Sequence, residues 1–190
     1  MKQKLQRILS CLLAFTLLTC PALAASPFPD VDENADYAEA VEYLKERSIM
    51  VGDSSGSFNP NQIVTRAEMA TVICRMLDET EDLSVSDRFT DVPVTHWANK
   101  YVAKAAELGI VNGYGNGKFG PSDTVTFEQA VTMIVRAMDM GELATAAGGY
   151  PKGFLLVASE QGMTRSMDFQ IGDPLDRASV AKIIYNTLEF

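Results

Sequence analysis

Soft metal ligands are almost missing from this chain: 190 residues hold one histidine and three cysteines, with no CxxC pair and no HExxH run. That excludes the common zinc and iron–sulfur frameworks, and no cofactor is expected. Catalytic material is equally thin. His96 is the only histidine, and beside Trp97 at a helix start it reads as solvent-exposed. No nucleophile with a base and no carboxylate pair recurs along the chain, so an enzyme is not expected. Asp53-Ser54-Ser55-Gly56 has a superficial likeness to a calcium loop but lacks the alternating Asp/Asn ligands and closing Glu of an EF-hand. Positive charge is scarce too: sixteen Lys and Arg face twenty-five Asp and Glu, for a net charge of −9. A nucleic-acid partner, which needs a broad basic surface, is therefore not expected. Apolar residues are not lacking. At 47% of the chain they supply one modest core and exclude overall disorder.

No apolar run is long enough to cross a membrane as a helix. The longest, residues 8–19, falls short of the roughly 20 residues a bilayer requires and is followed by Pro21. Preceded by Lys2, Lys4 and Arg7 and followed by Ala22-Leu23-Ala24, it reads as a secretory signal peptide, residues 1–24, cleaved after Ala24. Leu17-Leu18-Thr19-Cys20 resembles a lipobox, with Thr19 departing from the small residue such boxes carry, so lipoprotein anchoring is the alternative. The segment's only charges are three basic ones, so its removal leaves thirteen basic residues against twenty-five acidic and takes the net charge to −12. Cys11 and Cys20 leave with it. Cys74 remains alone on the apolar side of a helical pattern, where it reads as a small buried hydrophobe.

The remainder repeats. A shift of 61 residues superposes Phe28 on Phe89, Asp30 on Asp91, Gly52 on Gly113, Phe58 on Phe119 and Pro60 on Pro121, and then Thr65 on Thr126 and Arg75 on Arg136. A fixed period of this kind signals supersecondary units that bury their apolar faces against one another. A third, eroded copy is anchored by Tyr150, twelve residues before Gly162 as Trp97 is twelve before Gly109. Leu175 onward repeats the pattern from Val64. This copy lacks the opening Phe-x-Asp-Val, and its middle turn is three residues shorter. The acidic stretch 78–88 and the small-residue stretch 143–149 read as linkers, giving repeats at 25–86, 87–142 and 143–190.

Each repeat reads as helix, Gly-rich turn, helix. Val102, Ala105, Ala106 and Gly109 form a narrow stripe at helical spacing, and Met69, Val72, Ile73 and Met76 form a broader one. Three equivalent stripes imply one shared core. Gly52 and Gly56, or Gly113, Gly115 and Gly117, stand where a tight turn calls for positive φ. Thr65 and Glu68 make a capping box, Thr126 and Gln129 repeat it, and Asp176 caps the third copy without the box. Val64 with Met69, Val125 with Ala130 and Leu175 with Val180 are the matching hydrophobic staples. The arginines need another explanation. Arg66 and Arg177 hold the first helical position, where the helix dipole disfavours a cation. A residue placed against local preference is where function is expected, and a guanidinium beside free N–H groups forms a site for a carboxylate or phosphate. Phe127 removes that chemistry from the second repeat.

Phe89-Thr90-Asp91-Val92, Trp97-Ala98, the run from Gly109 to Gly113, Gly117-Lys118-Phe119-Gly120-Pro121 and Thr65-Arg66-Ala67-Glu68 resemble the S-layer homology (SLH) domain, with three copies covering nearly all of 28–188. The resemblance implies an all-α fold, three helix-turn-helix repeats in a pseudo-threefold bundle. It also implies noncovalent anchoring of an exported, wall-associated protein to a secondary cell-wall polysaccharide, through pyruvylated sugars, in grooves between repeats. On that reading Arg66 and Arg177 hold the ligand carboxylate, and Trp97 and Tyr150 pack on a sugar face. Asp30 and Asp91 hydrogen-bond hydroxyls, while Gly52 and Gly113 allow close approach. Two plainer readings stay open: Trp97 as core, and Asp30 and Asp91 as caps of the turn into the first helix. Asp36 in place of the first aromatic, Phe127 in place of one arginine and Ser179 in place of one glutamate leave at most two competent grooves. The alternative function is a degenerate structural or protein-interaction module at the cell surface, with protein partners and no polymer binding.

Overall fold

The computed structural model describes residues 26 and 28–189. The expected signal peptide, with Cys11, Cys20 and the lipobox-like run, lies outside the described residues. Among the described residues seven helices form and no strand does: α1 (Ala38–Glu46), α2 (Arg66–Met76), α3 (Asn99–Glu107), α4 (Phe127–Ala137), α5 (Gly141–Ala146), α6 (Lys152–Glu160) and α7 (Arg177–Leu188). None of them is long and apolar enough to cross a membrane. The fold is all-α, as the resemblance implies.

The second helix of each repeat, α2, α4 or α7, begins where the sequence places its cap. Thr65 Oγ1 accepts from the Glu68 N–H while Glu68 accepts from the Thr65 N–H, closing the capping box. Asp176 accepts from the Ser179 N–H at 2.8 Å. The second repeat departs from expectation: Thr126 makes no side-chain cap bond and its hydroxyl is buried without a partner. Gln129, which would complete the box, is turned instead toward the Arg66 guanidinium, 3.5 Å away. A carboxylate at this position is drawn back to the N-cap N–H more strongly than a neutral amide, so the amide is the one diverted.

The three residues preceding the caps meet at the centre. Val64 N–H donates to Leu175 C=O, Leu175 N–H to Val125 C=O, and Val125 N–H to Val64 C=O, at 2.9–3.2 Å. This closed cycle is the pseudo-threefold axis of the molecule, and all three side chains are buried. Around it the helices interlock: α3 packs on α2, α6 on α4, and α1 on α7. Each first helix therefore covers the second helix of the preceding repeat, and the last repeat closes onto the first. Leu44, Ile73, Ile134 and Ile184 are fully enclosed where these pairs meet, each contributing about 1.5–3 kcal/mol by burial.

Two local expectations are corrected. Gly109 does not belong to the buried stripe of α3; it lies past the helix end at φ +72°, where its left-handed turn lets Ile110 N–H reach Ala105 C=O. The stretch 143–149 is not a plain linker, because its first half continues α5. Buried Ala144 anchors that helix where Gly153 of α6 lies against the Ala144 carbonyl, leaving no room for a Cβ. Cys74 is buried as expected, and desolvation pushes its thiol up to about 11.

Candidate functional site

The interlocking brings the sequence-predicted residues together in two congruent grooves. One, of about 350 Å³, is lined by Arg66 from the start of α2, Gly113 and Tyr114 from the turn after α3, Gln129 and Arg136 from α4, and Tyr150 from the approach to α6. The other, of about 280 Å³, is lined by Arg177 from α7, Gly52 and Asp53 from the turn after α1, Glu68 and Arg75 from α2, and Trp97 from the approach to α3. Each groove thus draws its motif arginine from one repeat, its turn and second helix from the next, and its aromatic from the one after.

The arginines are held by backbone carbonyls of the neighbouring repeat. Arg66 Nε donates to Phe119 C=O at 3.0 Å and Nη2 to Asn112 C=O at 3.3 Å, with the guanidinium carbon 4.8 Å from the Phe119 ring centroid and 5.0 Å from that of Tyr114. Arg177 repeats this with Phe58 C=O at 2.6 Å and Val51 C=O at 2.8 Å, over the Phe58 ring. Burial lowers the Arg177 pKa, against an opposing pull from Glu68, Asp30 and Asp53. Arg66 is 7% exposed and its side-chain partners are carbonyl oxygens of the backbone and of Gln129, so no carboxylate in its groove offsets its charge, and an anion there would supply the countercharge.

The expected free N–H groups beside these arginines are not there. Arg66 N–H donates to Asp123 C=O and Ala67 N–H to Pro121 C=O; Arg177 N–H donates to Gln62 C=O and Ala178 N–H to Pro60 C=O. The third amide goes to the cap side chain in both helices. A helix end buried between repeats must satisfy its orphan donors, and here the adjacent turn does so. The guanidinium, not the helix end, is what faces the groove.

The aromatics are at the surface. Trp97 is 60% exposed and Tyr150 57%, so neither is a core residue. Tyr150 ionises later than usual because of burial and the neighbouring Glu128 carboxylate. Gly52 and Gly113 line the grooves, and their lack of a side chain has a second cause: a Cβ would stand 2.7 Å from the Phe28 ring at Gly52 and 2.6 Å from the Phe89 ring at Gly113. Positive φ occurs instead at Gly56, Gly115 and Gly117.

Asp30 and Asp91 are not among the lining residues. Asp30 accepts from the Phe58 and Asn59 N–H groups, and Asp91 from those of Phe119 and Gly120, all at 2.7–2.8 Å. Each brackets the Gly-rich turn of its own repeat. Sequence reasoning did not single out Arg75, Arg136, Thr71 or Thr132 as groove residues, although a signal existed. Glu68, Thr71, Val72 and Arg75 fall at i, i+3, i+4 and i+7, and so do Gln129, Thr132, Met133 and Arg136, which is one helix face.

The third equivalent position is occupied by the chain itself. Phe127 stacks on Phe169 at 5.4 Å, and Lys182, on the face of α7, pairs with Asp36 at 2.6 Å. Asp36 stands where Trp97 stands one repeat later.

A closed ring of helix pairs that displays two arginine-and-aromatic grooves defines a repeat-built, all-helical module. Residues 27–70 and 88–131 match the family model of the S-layer homology domain, and these two segments are repeats of that domain. A cell surface protein of Thermoanaerobacter kivui is 33% identical over 93% of this chain. A middle cell wall protein of Brevibacillus brevis is 30% identical over 99% of it, and a cellulosome-anchoring protein of Acetivibrio thermocellus is 31% identical over 61%. The chain spans 23%, 18% and 27% of those three relatives' lengths, respectively.

Proposed function

We propose that this protein is exported after loss of residues 1–24 and anchors noncovalently to the cell wall. Its ligand is a secondary cell-wall polysaccharide with acidic, pyruvylated sugars, bound in the two grooves between repeats. The observation that carries the reading is the pair of congruent grooves, each joining a carbonyl-held arginine to an exposed aromatic from a different repeat. A guanidinium can hold a carboxylate bidentately, and an exposed indole or phenol presents an apolar face with a polar tip. In this assignment Arg66 works with Gly113 and Tyr150, and Arg177 with Gly52 and Trp97. The two matched repeats and the cell-wall and cellulosome-anchoring relatives support the anchoring role.

Co-sedimentation of the secreted protein with wall sacculi, before and after chemical removal of the secondary polymer, tests this. The expected outcome is binding that requires the polymer and falls at least tenfold in the Arg66→Gln, Arg177→Gln double variant, with thermal melts run alongside to verify folding. If the folded wild-type protein stays in solution with polymer-bearing walls of a matched host, the polymer reading fails. The closed third groove would then favour a surface module that acts through a protein partner.

A further inference from the structure

The 61-residue shift allows the two grooves to be compared position by position. Arg75 in the Arg177 groove becomes Arg136 in the Arg66 groove, so each groove keeps two arginines. The acidic positions do not survive the shift: Asp53 becomes Tyr114, and Glu68 becomes Gln129. The Arg177 groove is therefore lined by two cations and two carboxylates, and the Arg66 groove by two cations and no carboxylate.

The acids nearest the Arg66 groove are already engaged outside its lining. Asp123 accepts from the Tyr114 hydroxyl at 2.8 Å, Glu128 is 6% exposed and accepts from the Gly172 N–H, and both Asp91 oxygens hold the turn. Asp53 and Glu68 are hydrogen-bonded too, but they stand in the lining of the Arg177 groove itself. A groove with uncompensated positive lining attracts an anion, whereas one with balanced charge does not.

We propose that the grooves divide the ligand between them: the Arg66 groove takes the carboxylate-bearing unit, and the Arg177 groove takes a neutral sugar face against Trp97. The choice of ligand rests on the polysaccharide reading; the charge asymmetry does not. Asp53 and Glu68 in one groove, and their counterparts Tyr114 and Gln129 in the other, are the specificity-determining positions.

The test uses the isotopically labelled secreted protein and two probes, sodium acetate as a bare carboxylate and an acidic oligosaccharide released from wall polymer. The Gly113 and Gly52 amide signals report the two grooves separately, and Trp97, the single tryptophan, reports the second by fluorescence. Acetate is expected to shift Gly113 at concentrations at least tenfold below those that shift Gly52. Asp53→Asn with Glu68→Gln should bring the two within about threefold, while Tyr114→Asp with Gln129→Glu should abolish the preference. Asp53→Asn keeps the oxygen that accepts from the Ser55 and Ser57 N–H groups but sets an amide N–H against Asn59 Nδ2, and Glu68→Gln loosens the hold on the Thr65 N–H, so thermal melts of both variant pairs are run beside the titrations to verify folding. An equal response of the two glycines in the wild type, or a preference for Gly52, overturns the proposal. If acetate discriminates as expected while the oligosaccharide enters neither groove, the asymmetry stands and the polysaccharide reading falls. If the oligosaccharide enters both and acetate does not discriminate, the reverse holds.

Discussion

At the scale of single residues, Asp30 and Asp91 each bracket the Gly-rich turn of their own repeat. Burial draws the Asp91 pKa upward, but N–H bonds from Phe119 and Gly120 outweigh it and hold the carboxyl below its ordinary 3.8. A pKa depressed by folding contributes stability above 3.8 that is lost as pH falls through the lower folded value. Asp91→Asn places an amide N–H against one of the two backbone donors. It should cost about 1–3 kcal/mol and flatten the acid limb of the stability curve, as read by urea melts between neutral pH and acid. A variant as stable as wild type at every pH would show that Asp91 is not a bracket. The motif arginines act in the same way across repeats, gripping carbonyls of the neighbouring turn.

At the scale of the elements, the ends of the first helices of the repeats are three versions of one turn. Ser48, Gly109 and Gly162 each occupy the left-handed region, at φ +57°, +72° and +72°. In every case the next residue's N–H returns to a carbonyl five positions back: Ile49 to Leu44, Ile110 to Ala105 and Met163 to Ala158. Only the first repeat places a side chain there. Left-handed backbone costs a non-glycine residue roughly 1–2 kcal/mol, partly offset by the entropy that glycine loses on folding. Ser48→Gly should therefore stabilise the protein by about 0.5–1 kcal/mol and raise the Tm by about 1–4 °C. Gly109→Ser should do the opposite in calorimetry. Because a Cβ at Gly109 meets nothing within 4 Å, its effect isolates the backbone term.

At the scale of the whole molecule, the repeats form a ring, not an open stack. The first and last helices seal it: Tyr43 meets Tyr185 edge-on at 5.2 Å, the Tyr185 hydroxyl donates to Glu39 at 2.7 Å, and Lys182 pairs with Asp36. An open solenoid loses an end repeat with modest cost, since each unit touches only its neighbours. Here deletion of residues 143–190 would strip α6 from α4 and α7 from α1 and break the central hydrogen-bond cycle. The truncated chain, though it keeps both segments that match the family model, is expected to unfold without a cooperative transition and to lose near-UV circular dichroism. Cooperative melting of that fragment would mean that the ring closure is dispensable.

The amino-acid sequence by itself determined the period, the helix-turn-helix content, the caps at Thr65 and Asp176, and the burial of Cys74, because each depends on residues within a turn or two of one another. The resemblance it carries also singled out the arginines, Trp97, Tyr150 and the two glycines as a set, together with Asp30 and Asp91, which hold turns and line neither groove. What it could not settle was which of them share a groove. Arg66 meets Tyr150, and Arg177 meets Trp97, only because each first helix docks on the preceding repeat and the last repeat closes onto the first, a choice made by long-range packing. The same packing decided the fate of the helix-end amides, claimed by carbonyls from another repeat, and of Gln129, drawn from its cap to Arg66. Local pattern reports what a segment needs to bury or bond; which partner satisfies the need is fixed only when the ring closes.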